Sequence, residues 1–166
     1  MEASRIVKQA WRDCPPSDRA LLRSAGCRQL ARDEIERADA AIGLWIPQLR
    51  IVLINAAHPA FHGLDQESLR WALSRVAWHE WAHALSIDRA GPADVAEGAR
   101  YLRLLPESLA KPIRGPGYRR KEYTHEIVAE VFSMLMIRRR LGKTGKPPWL
   151  HKEIYELVRR VTGWNQ

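Results

Sequence analysis

The stretch from Gln66 to Ile87 contains neither Gly nor Pro and reads as one long helix. Within it stands His79-Glu80-Trp81-Ala82-His83. Residues four apart on a helix are offset by only about 40° and about 6 Å, so both imidazoles leave one face. Two imidazoles so placed offer two corners of a zinc tetrahedron. Glu80, one position on, reaches a water activated by the metal as general base. Shuffling the composition gives such a pentapeptide in roughly one or two chains per hundred. A carboxylate between two histidines therefore points to metal chemistry more than to a Trp-rich packing helix that happens to hold two His. Asp65 is the expected N-cap, and Leu69, Leu73, Val76 and Trp78 are the expected buried positions.

With 166 residues the chain has room for one domain and a modest core. A hydrophobic share of 46% and seven Trp exclude a disordered chain. Cys14 and Cys27 have no paired spacing and read as free thiols in a reducing compartment. No run approaches a membrane span, and Met1 to Arg5 lacks an apolar leader, so the cytoplasm is the expected location. The net charge of +8 is unevenly spread. Residues 1–99 hold 12 Lys/Arg against 13 Asp/Glu, whereas residues 100–166 hold 15 against 6. That excess fits an acidic substrate or a nucleic acid bound through the basic C-terminal part, and equally a solvated face.

The expected fold class is α+β, mostly helical with a small sheet. A helical N-terminal extension is expected over residues 1–41, broken at Cys14-Pro15-Pro16 and Gly26, then a core over 42–141 and a basic C-terminal helix over 147–162. Leu49 to Asn55 is the best strand, with Ile42 to Ile46 as a candidate partner. A second helix is expected from Ala93 to about Leu104, a loop from Pro106 to Gly117, and a further helix from Glu122 to Leu141.

A catalytic zinc takes three protein ligands and keeps one position open. A ligand six residues after His83 would fall on Arg89, with Ser86 where a Gly turn is needed, so a compact three-ligand run is excluded. The better source is Glu126, whose i,i+4 neighbour Glu130 shares its face. Two carboxylates on an otherwise apolar helix need cations or donors. Zinc beside Glu126, and a ligand imidazole or backbone donor beside Glu130, meet that need. Glu97 is the rival ligand, and His125 a further candidate. His58, His62 and His151 read as structural or exposed.

His79 to His83 followed by Glu126-Ile127-Val128-Ala129-Glu130-Val131-Phe132 resembles the gluzincin peptidases of the lethal-factor type. It is also similar to the ImmA/IrrE group, in which a Glu on a later helix is the third ligand. The resemblance covers roughly residues 49–135, with Ile51 to Asn55 matching the strand that borders the cleft in zincins. It departs from the ImmA/IrrE pattern at Met136, where Ile137 follows in place of Pro. The resemblance implies a zincin-like fold around an HExxH helix and Zn²⁺ held by His79, His83 and Glu126. It further implies hydrolysis of a protein or peptide substrate with Glu80 as general base. A Tyr upstream of the ligand Glu stabilises the oxyanion in the lethal-factor type; Tyr118 is the preferred position here and Tyr123 the other. The residues leave a second reading open, a zinc-containing nucleic-acid-associated or regulatory binding protein. On the peptidase reading, Ile51 to Ile54 would pair with extended substrate.

Overall fold

The computed structural model describes residues 41–55 and 58–164, the pair 31–32, and positions 5, 8, 9, 12, 16, 19 and 20. The expected N-terminal extension, both cysteines included, otherwise falls outside the described residues. The chain divides into two compact units, Met1–Ala84 and Leu85–Gln166, with the boundary inside one continuous helix. The class is α+β, with helices predominating over a small sheet.

In the first unit, β2 (Gly43–Ile46) and β3 (Ile51–Ile54) form an antiparallel hairpin in which Trp45 faces Val52 and Gly43 faces Ile54. Pro47 starts the connecting turn, and Arg50 ends it at φ 53. The strand therefore begins at Ile51, two residues later than expected, because Leu49 and Arg50 are spent on reversing the chain. Trp45, Val52 and Ile54 are buried on one face, while Leu44 on the other is exposed. Ala31 and Arg32, expected in a helical extension, instead form β1 and pair in parallel with β3. Pairing along both sides satisfies the backbone groups of an apolar strand that would otherwise present an open edge. The order is β1-β3-β2, so β3 is central. Ile51 to Ile54 thus does not supply the free edge expected of it; among the described residues β2 is the outer antiparallel strand.

Helix α1 (Gln66–Ser86) runs 21 residues without a break, starting where expected and ending one residue before the expected Ile87. Asp65 caps it: the Ser68 N–H donates to Asp65 Oδ1 at 2.7 Å. Hydrogen bonds from Ser68 and then Glu67 hold the Asp65 carboxyl below its ordinary value. Leu73 and Trp78 are buried and Leu69 and Val76 half-buried. Trp78 and Trp81 meet edge to face at 4.8 Å.

In the second unit, the single helix expected over 93–104 is two: α2 (Pro92–Ala96) and α3 (Gly98–Arg103). Thr124 explains the break. Its hydroxyl donates to the Asp94 carbonyl at 2.7 Å, the acceptor that Gly98 N–H would use in an unbroken helix. Thr124 also lies so close to Gly98 that a Cβ there would stand 2.8 Å from its Oγ1. Residues 107–113, expected in a loop, form α4 (Glu107–Ile113). Pro106 suits a helix start, and Leu109, Ala110 and Ile113 give the segment a buried face. A short 3₁₀ turn (Arg120–Glu122) leads into α5 (Tyr123–Arg140), and α6 (Lys152–Thr162) closes the unit. His151, expected on that last helix, is instead its N-cap, accepting from Glu153 N–H. Ile127, Val128, Val131 and Phe132 of α5 and Ile154, Val158 and Val161 of α6 make the core, with Trp164 edge-on to Phe132 at 6.2 Å.

Candidate metal centre

The capped, uninterrupted α1 puts His79 and His83 on one face, their rings 5.0 Å apart between centroids. Both are half-buried, a position from which an imidazole keeps access to a bound ion. Glu80, the residue after His79, is buried at 7% exposure. Its carboxylate lies beside the first residue of β2. A Cβ built on Gly43 would stand 2.7 Å from Glu80 Oε1 and 2.9 Å from Glu80 Cγ. No side chain fits there, so Gly43 is what admits Glu80. Sequence reasoning missed this residue, although a lone Gly opening a strand is a signal of close approach by another element.

Glu126 sits in the first turn of α5, with Glu130 one turn on and the buried Ala129 between them. His79, His83 and Glu126 each offer one ligand atom, and these atoms lie within 4.8 Å of one another. Zinc bonds of about 2.0–2.1 Å set neighbouring donors of a tetrahedron about 3.3 Å apart. Side-chain rotation closes a difference of about 1.5 Å, and two imidazoles with one carboxylate are an established donor set for catalytic zinc. The three residues fit the ion.

The rival Glu97 belongs to a different arrangement, ion-paired with Arg100, which also reaches Glu153. Those two carboxylates raise the Arg100 pKa. His125 lies on α5 outside the three-residue group. Asp88 is exposed beyond the end of α1. Tyr118 lies in the turn after Gly115, 39% exposed, and Tyr123 is half-buried at the start of α5. His58 caps a 3₁₀ turn, accepting from Ala60 N–H at 3.1 Å, and so has the structural part expected of it. No helix among the described residues is long and apolar enough to cross a membrane. Comparison with protein families, curated proteins and solved structures finds no match to this chain.

Proposed function

We propose that the chain is a zinc metallopeptidase of the zincin type, cleaving peptide bonds of a specific protein substrate. The grouping of His79, His83 and Glu126 donor atoms carries this reading. A small sheet laid against an HExxH helix at Gly43 and Glu80 adds to it. Bound by these three residues, zinc would lower the pKa of a coordinated water toward about 7 and polarise the scissile carbonyl. Glu80 takes the proton of the attacking water and passes it to the leaving amine. Its burial beside Gly43 fixes the carboxylate at one position, so little reorganisation precedes proton transfer. Glu130 orients a ligand imidazole, and Tyr118 donates to the developing oxyanion. Extended substrate lies along β2, the outer strand whose first residue touches Glu80.

The test pairs zinc content with peptidase activity on a peptide library, for wild type and Glu80→Gln. Glu80→Gln keeps its metal and loses on the order of 10²–10⁴ in rate. A wild type that binds no zinc, or a fully active Glu80→Gln, defeats the reading.

A further inference from the structure

Residues of α3, α4 and the start of α5 line a cavity of about 420 Å³. Leu102 and Leu105 are the buried, apolar part of its lining. The exposed part carries three guanidinium groups, those of Arg103, Arg114 and Arg120. Arg114 is ion-paired with Glu107, also in the wall. Among the described residues the guanidinium groups of Arg103 and Arg120 make neither ion pair nor hydrogen bond. Three cations and one anion thus leave this hollow a formal charge of +2.

Like charges gathered around a hollow repel, and a bound counter-ion relieves that repulsion. The planar guanidinium fork matches oxyanions, and two unpaired forks match a dianion. A phosphate monoester carries about −1.5 to −2 at neutral pH. The volume lies within the usual range of about 300–1,000 Å³ for ligand pockets, enough for a phosphate and a small organic group. Leu102, Leu105 and the Tyr123 ring give that organic group an apolar contact. We propose that this pocket binds a phosphate monoester, its phosphate held by Arg103 and Arg120 and its apolar part against Leu102 and Tyr123. The site is independent of the metal centre and stands or falls without it.

Calorimetric titration of the full chain at fixed ionic strength, with inorganic phosphate, phenyl phosphate and a phosphotyrosine peptide, tests the proposal. Phenyl phosphate binds saturably with one site, at least threefold tighter than inorganic phosphate. A phosphotyrosine peptide that binds tighter still assigns the phosphate to a protein chain; equal or weaker binding assigns it to a free ester. Arg103→Gln and Arg120→Gln each weaken phenyl phosphate at least tenfold with unchanged melting temperature, both side chains being exposed. Lys152→Gln, an exposed charge outside the cavity wall, leaves binding unchanged. Unsaturable binding overturns the site, as does binding that both arginine variants retain. Equal losses in Lys152→Gln and Arg103→Gln also overturn it, because they reduce the effect to bulk charge.

Discussion

A methyl group at Gly43 would stand 2.6 Å from Val76 Cγ1 as well as 2.7 Å from Glu80 Oε1. Valine is short and β-branched, so it cannot swing clear, and the strand or Glu80 must move instead. Overpacking of this kind costs about 1–3 kcal/mol. Gly43→Ala is expected to lower stability by that amount in urea unfolding. On the proposed reading it also displaces the Glu80 carboxylate and reduces peptidase rate, while zinc content, which that reading assigns to His79, His83 and Glu126, stays at the wild-type value. A variant with wild-type rate shows that Glu80 does not depend on the glycine. The pairing of His79 and His83 on one face was legible because it is local, set by a spacing of four on one helix. Gly43 was not, because its meaning lies in a residue 37 positions later.

Elements whose signals are local were legible in the same way. Asp65 and the run without Gly or Pro mark α1 nearly to the residue. Elements decided by tertiary contacts were not. The α2–α3 break comes from Thr124, thirty residues away, and α4 forms in a Pro-rich stretch because three apolar residues find a core. The central place of β3 depends on Ala31–Arg32, a pair with no strand signal of its own. One long-range link between elements is open to measurement. Arg160 of α6 donates two hydrogen bonds to Asp94 of α2, at 2.6 and 2.9 Å. These, followed by the Gly91 N–H, hold the Asp94 carboxyl below its ordinary value, and Asp94 in turn raises Arg160. A carboxyl depressed in the folded state adds stability above its unfolded pKa and loses it as pH falls through the folded one. With Arg160 more than half exposed, Arg160→Met is expected to cost about 1 kcal/mol at neutral pH. The gap to wild type should stay full above about pH 5 and shrink as pH falls below 3.8, the ordinary aspartate value, as urea melts across pH 3–7 would record. A pH-independent gap assigns the loss to packing of the arginine stem instead.

At the scale of the whole molecule, the basic excess of residues 100–166 has structural uses within the second unit. Arg138, Arg139 and Arg140 form the last turn of α5, and Arg159 and Arg160 that of α6, where cations offset the carbonyl ends. Arg100, Arg114, Arg159 and Arg160 are each ion-paired. At least four of the fifteen Lys/Arg of residues 100–166 are thus held in ion pairs, and the basic excess over six Asp/Glu remains. Metal has a different reach. On the proposed reading one ion joins His79 and His83 to Glu126, 43 residues after His83, so binding selects the folded chain. An ion present at a hundred times its dissociation constant adds about 2.7 kcal/mol. For a chain of this size that raises the melting temperature by about 5–10 °C. A chelator is expected to lower the melting temperature of wild type and Glu80→Gln by this amount. Glu126→Gln and His83→Gln should respond far less, because each lacks a ligand. Wild-type melts that ignore both zinc and chelator would remove the metal from the fold. A response retained in Glu126→Gln would keep the ion and move its third ligand elsewhere.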